Sequence, residues 1–164
     1  TRSPRISLRG REGIGAIMVA GVPFMPHPPF EILEHTADAG IVAHARSLEE
    51  LFANAAAGMF SLMADLGGVR QAEEREIDIE ARDREALLVR WLTELLYYLD
   101  AEEMLFSRFE VDEATDTRLR ARAYGERIDP RRHRLHFGVK AVTRHMLEVA
   151  PEDGGYRAQV LFDI

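Results

Sequence analysis

The residues of this chain that could do chemistry are few, and carboxylates lead them. Asp38 closes the stretch His35-Thr-Ala-Asp38, and Asp163 and Ile164 are the last two residues of the sequence. A free α-carboxylate on Ile164 beside the Asp163 side chain would set two anionic groups one residue apart. Should the Asp38 segment fold beside them, hard oxygen donors converge on one point, and unpaired carboxylates gathered in one place require a counter-ion. All-oxygen ligation favours Ca²⁺, Mg²⁺ or Mn²⁺ over zinc. Spacing alone does not bring Asp38 to the chain end, and plainer readings fit the same residues. Asp38 before Ala-Gly is a good turn former that can bind nearby backbone N–H groups. His35 fits a hydrogen-bonded, half-buried imidazole, and chain ends are commonly frayed and solvated.

A second polar group lies in Val139-Lys140-Ala-Val-Thr-Arg-His145. Lys140 reads as a residue inside an alternating strand, its stem covering apolar surface and its ammonium in water. It can also serve as a fixed positive charge near the carboxylates or reach a partner's phosphate-bearing ligand. Other chemistries are closed off. The chain has no cysteine, which excludes disulfides and thiolate metal sites and fits a reducing compartment. There is no Gly-x-Ser-x-Gly, Walker loop, Gly-x-Gly-x-x-Gly or His-Glu-x-x-His. Serine beyond residue 30 is confined to Ser47, Ser61 and Ser107, so a catalytic triad is not expected.

Charge narrows the partners. The formal net charge is -7, and residues 1–30 contribute +3 through Arg2, Arg5, Arg9 and Arg11 against Glu12. The rest therefore carries -10 (-7 minus +3), and an acidic body disfavours extensive binding to a phosphate backbone. A basic protein partner or a metal ion suits it better.

The elements that must position these groups follow from periodicity. Residues 30–35 and 40–45 are short apolar runs around a Thr-Ala-Asp-Ala turn, which suggests a hairpin. Ser47-Leu-Glu-Glu50 is a capping box, and Leu48, Leu51, Phe52, Ala55, Met59, Leu62 and Met63 form one apolar helical stripe ending at Gly67-Gly68. Residues 75–80 alternate as a half-buried strand; Asp83 caps a second helix that buries Leu88, Trp91, Leu92, Leu95 and Leu99. Strand-like stretches follow at 104–111, 117–127, 135–142, 144–149 and 156–162. The expectation is a single α+β domain, with two helices on one face of a mostly antiparallel sheet.

Residues 1–29 read as a separate, flexible N-terminal extension, and the domain as 30–164. Five of the seven prolines and four of the twelve glycines fall within residues 1–30, which precludes a long regular element there. Its apolar run 14–25 is too short to span a bilayer and is broken by Pro23, so a tail is preferred over a signal peptide.

Taken in order, these stretches resemble the archease family. The matching residues are His35-Thr-Ala-Asp-Ala-Gly-Ile41, Ser47-Leu-Glu-Glu-Leu-Phe52, Leu87-Leu88 with Trp91-Leu-x-Glu-Leu-Leu96, Gly125-Glu126, Val139-Lys-Ala-Val-Thr-x-His145 and the final Phe162-Asp-Ile164. Each is a weak signal alone; six in order over 30–164 are specific. The resemblance implies a non-catalytic accessory factor of tRNA splicing and RNA repair in the cytoplasm. Such factors promote guanylylation and multiple turnover of an RtcB-type RNA ligase. It implies a divalent-metal site on Asp38, Asp163 and Ile164, a functional role for Lys140, and supporting roles for His35 and His145. Arg144 stands where the family usually has an aromatic, and residues 1–30 have no counterpart in its compact members. The rival readings are a metal-dependent phosphoester hydrolase and a metal-independent chaperone or interaction module.

Overall fold

Alternating and helical burial patterns build the molecule around one helix. The computed structural model describes residues 17–19, 22–24, 27–34 and 38–164. Among these, β1 (Ile17–Val19) and β2 (Val22–Phe24) form a short antiparallel pair. Then come β3 (Phe30–Glu34), β4 (Asp38–Ala45), α1 (Leu48–Met63), β5 (Glu73–Glu80), α2 (Arg84–Glu102), β6 (Met104–Ala114), β7 (Arg118–Arg127), β8 (Ala141–Val142), β9 (Glu148–Glu152) and β10 (Gly155–Asp163). One sheet runs β3-β4-β10, with β8 and β9 paired along β10 on the side away from β4; a second runs β5-β7-β6. Every ladder is antiparallel. The α+β expectation holds, with the strands divided between these sheets.

Helix α1 packs against β4 of one sheet and β6 of the other, so apolar residues are needed all round it. Leu51, Phe52, Ala55, Ala56, Met59, Phe60, Leu62 and Met63 are all buried. Its Phe52 carbonyl accepts the Trp91 indole N–H at 2.9 Å, which ties α2 to α1 in a dry place. Both caps form as expected. Ser47 Oγ accepts the Glu50 N–H at 3.2 Å, and Asp83 Oδ1 accepts the Ala86 N–H at 2.7 Å. Glu50 reaches back to the N–H of Arg46, one residue before the cap.

Three expectations about local structure are corrected. Helix α1 ends at Met63 and not at Gly67-Gly68, because Ala64 turns extended and bridges Leu135. The expected strand over 135–142 is mostly loop: the His136 and Phe137 N–H groups bond the Met63 and Leu62 carbonyls, which α1 leaves open at its end. Leu135 and Phe137 are therefore 47% and 61% exposed, and only Val139 of that alternating set is buried. The expected strand over 144–149 starts later, at Glu148, after a turn in which Met146 has φ 54°.

Candidate functional site

Register decides where the carboxylates stand. In the β4–β10 ladder Ile41 faces Val160, Ala43 faces Ala158 and Ala39 faces Phe162, all buried toward α1. A slip of one residue would turn this whole set to the other side, so burial locks the pairing. The same register sets Asp38 directly opposite Asp163. Opposed residues of an antiparallel pair project to one face with Cβ atoms about 5 Å apart, and like charges there repel. Asp38 is thus the first residue of a strand and not a turn residue as expected. Asp38 is half-buried and Asp163 exposed, and neither has an ion-pair partner among the described residues.

Neighbouring residues hold this pair in place. Gly40 lies opposite Leu161, and a Cβ on it would come within 2.5 Å of the Leu161 Cδ2. Its bare backbone lets the Leu161 side chain cross the sheet next to the two acids. Ile164 packs its side chain, half-buried, against the core. Lys140 donates its backbone N–H to the Asp163 carbonyl at 2.8 Å, and Thr143 does the same to Leu161 at 2.9 Å. Lys140 thus sits beside Asp163, just before the two-residue β8 and outside any long strand, with its side chain exposed. It makes no ion pair among the described residues. Asp38, Asp163, Ile164 and Lys140 therefore share one end of the sheet. His145 is exposed in the 144–147 turn, and no hydrogen bond or ion pair joins it to the two acids among the described residues. His35 lies outside the described residues.

Gly125-Glu126, noticed in the sequence only as a motif, is given a structural task. A Cβ on Gly125 would overlap the Leu105 carbonyl of the neighbouring β6. Glu126 accepts the Arg70 N–H and the Arg132 guanidinium, tying two loops to β7. Beneath it His133 is buried, with Nδ1 accepting the Asp129 N–H at 2.9 Å and Nε2 3.5 Å from Glu126. Burial, with Arg132 adding to it, pushes the His133 pKa down.

One cluster had almost no signal in the spacing of the sequence. His44, 7% exposed, holds Glu152 at Nδ1 (2.6 Å) and Glu31 at Nε2 (3.0 Å), and the His27 ring stacks on it at 4.4 Å. These residues come from β3, β4, the β9–β10 hairpin and the segment before β3. Only the even-numbered alternation of Asp38, Gly40, Val42 and His44 hinted that His44 faces away from the core.

Known proteins resemble the chain over its whole α+β domain. The model of the archease protein family (MTH1598/TM1083) matches residues 30–164. A protein named archease from Methanothermobacter thermautotrophicus is 46% identical over 138 residues, covering 82% of this chain and 98% of its own length. One from Sulfurisphaera tokodaii is 43% identical over 137 residues, covering 82% and 98%. The solution structure of Methanobacterium thermoautotrophicum protein 1598 superposes with a TM-score of 0.73 at 46% identity, covering 83% of this chain and 99% of that one. No described helix is long and apolar enough to cross a membrane.

Proposed function

The chain belongs to the archease protein family, and on that premise we propose that it is a non-catalytic partner of an RtcB-type RNA ligase. In this reading it promotes the ligase's guanylylation and repeated turnover in tRNA splicing and RNA repair, in the cytoplasm. The observation that carries it is the face-to-face Asp38 and Asp163, without an ion pair among the described residues. Two opposed carboxylates are a standing cost in a sheet unless a cation answers them. The donor set fits a hard divalent ion: all oxygen, with no cysteine in the chain to offer a thiolate.

The Asp38 and Asp163 side chains and a main-chain oxygen of Ile164 would hold Ca²⁺, Mg²⁺ or Mn²⁺. When bound, such an ion supplies concentrated positive charge toward phosphate oxygens. The chain's own residues set the rest. Packing of the Ile164 side chain against the core holds its main chain beside Asp163. The exposed Lys140 offers its ammonium beside the acids, where a ligase-bound nucleotide phosphate could meet it. The acidic body keeps the protein from competing for RNA and suits a basic rim around the ligase's nucleotide pocket.

The test is a guanylylation assay on an RtcB-type ligase with the native chain, with Asp38→Asn, with Asp163→Asn, and with one residue appended after Ile164. All three changes should abolish stimulation while ligase binding persists. Normal stimulation by all three would refute the site. Release of phosphate from generic phosphoesters with Mn²⁺ would favour the hydrolase; stimulation indifferent to chelators would favour a metal-independent module.

A further inference from the structure

At the other end of the β4–β10 ladder the same outer face carries a second constellation. His44 pairs with Arg157, six residues along β10 from Asp163, so about 20 Å separates it from the acidic pair. We propose that His27, His44 and Glu152 form a second metal site, with zinc as the ion their chemistry selects. One ring nitrogen from each histidine and one Glu152 oxygen lie within 4.8 Å of one another.

The buried His44 ring states the need. Carboxylates only accept, yet one stands at each of its nitrogens: Glu152 Oε2 at 2.6 Å from Nδ1 and Glu31 Oε2 at 3.0 Å from Nε2. A neutral imidazole has one N–H and can answer only one of them. With Nε2–H donated to Glu31, Nδ1 presents a lone pair on the side where Glu152 and His27 converge. This is the arrangement by which a carboxylate orients a metal-bound histidine and raises its basicity. His27 Nε2 lies 2.9 Å from Asp153 Oδ2 and 3.8 Å from Glu152 Oε2. Asp153 stays beside His27, outside the group of three donors, and a solvent oxygen would complete the four-coordinate, nitrogen- and oxygen-bearing set that zinc accepts. With zinc–ligand bonds of about 2.0–2.2 Å, donors on one tetrahedral ion stand roughly 3.4 Å apart, so the His44 Nδ1–Glu152 Oε2 pair opens from 2.6 Å while His27 draws in from 3.8 Å.

The surrounding backbone is prepared for this. Asp153-Gly154 is a two-residue hairpin turn with φ 46° and 79°, the Asp-Gly type that fixes both flanking strands. It holds Glu152 and Asp153 side by side. On the other side the Pro29 carbonyl accepts the His44 N–H at 3.0 Å, and Pro28-Pro29 stiffens the approach of His27. An open cleft of ≈ 200 Å³ bounded by His27, His44, Arg46, Glu50, Asn54 and Glu152 gives the ion a way in. Bound zinc would fasten the segment before β3 to the β9–β10 hairpin.

The test is calorimetric titration of the full chain, freed of metal by chelator, with zinc chloride, and with cobalt(II) followed by visible absorption. One tight equivalent is expected, with the strong colour of four-coordinate cobalt and not the pale colour of a six-coordinate oxygen site. His27→Gln and Glu152→Gln should each weaken zinc by at least about tenfold, the scale of losing a metal's supporting groups. His44→Gln should do the same if it folds. His27 is exposed, so His27→Gln keeps the test decisive, and circular dichroism of each variant checks the fold. Asp38→Asn should leave zinc affinity unchanged. No zinc binding, binding indifferent to His27→Gln and Glu152→Gln, or binding lost in Asp38→Asn would each overturn the proposal. None of these results bears on stimulation of the ligase, so the two readings stand or fall apart.

Discussion

Asp38 and Asp163 are cross-strand partners, the first residue of β4 facing the last of β10. On the proposed reading, their repulsion should make the fold sensitive to cations at this end of the sheet. Calcium or manganese at about a hundred times its dissociation constant should stabilise the native chain by ~2.7 kcal/mol. For a domain of this size that is a Tm rise of roughly 5–10 °C. Asp38→Asn and Asp163→Asn should lose the rise, and without metal should melt no lower than the native chain, because each removes a like-charge contact. A calorimetric scan with and without chelator reads both; an undiminished rise in the variants would place the ion elsewhere.

Lys140 is tethered through its backbone, not its side chain. Its N–H bonds the Asp163 carbonyl at 2.8 Å, a contact that any residue except proline can make. Lys140→Ala should therefore leave Tm within about 1 °C, as surface changes away from structural features do. Ligase stimulation should fall all the same, while Lys140→Arg restores part of it. Equal loss of stability and stimulation would mean that the side chain is structural.

Much of this site was legible in the residue order, for reasons that can be named. The caps at Ser47 and Asp83 and the apolar stripes behind them are local signals, and local signals survive folding. The alternation through Leu161, Phe162 and Asp163 already required Asp163 to point opposite to Phe162. What periodicity could not supply was the partner strand, because pairing between distant segments is set by burial of both faces together. The same limit hid the stretch 135–142. Its alternation is that of a strand, but its N–H groups are taken by the open carbonyls of α1, a demand that arises only once the helix has ended at Met63. His44 was passed over for a similar reason. A lone histidine in an apolar run gains meaning only when Glu31, Glu152 and His27 arrive from three other segments.

Gly125 is where a small change should cost most. A Cβ there would overlap the Leu105 carbonyl, and neither β6 nor β7 can retreat, since both pack against the core. Gly125→Ala should destabilise by about 2–3 kcal/mol, the scale of overpacking against a fixed backbone. Urea midpoints for Gly125→Ala and for Gly138→Ala, where a Cβ meets nothing within 4 Å, give the comparison. Equal midpoints would show that the strands yield.

His133 should make stability fall with acid. Its Nδ1 accepts the Asp129 N–H, so the neutral ring carries its proton on Nε2, toward Glu126. Protonating Nδ1 would break that bond and place charge in a buried site, and burial, followed by Arg132, holds the pKa below its ordinary value. The unfolded chain, with an ordinary histidine near pH 6.5, then binds the proton more readily than the folded one. The contribution is complete above about pH 6.5 and is lost as the pH drops through the lower folded value. Other groups titrate over the same range, so the slope belongs to His133 only as a difference from a variant. His133→Gln keeps an acceptor near Asp129 but cannot take a proton. Urea denaturation of both chains at a series of pH values should show the native chain losing more stability than the variant as acid is added. Parallel curves would mean that His133 charges in place, with Glu126 closing the 3.5 Å gap to hold it.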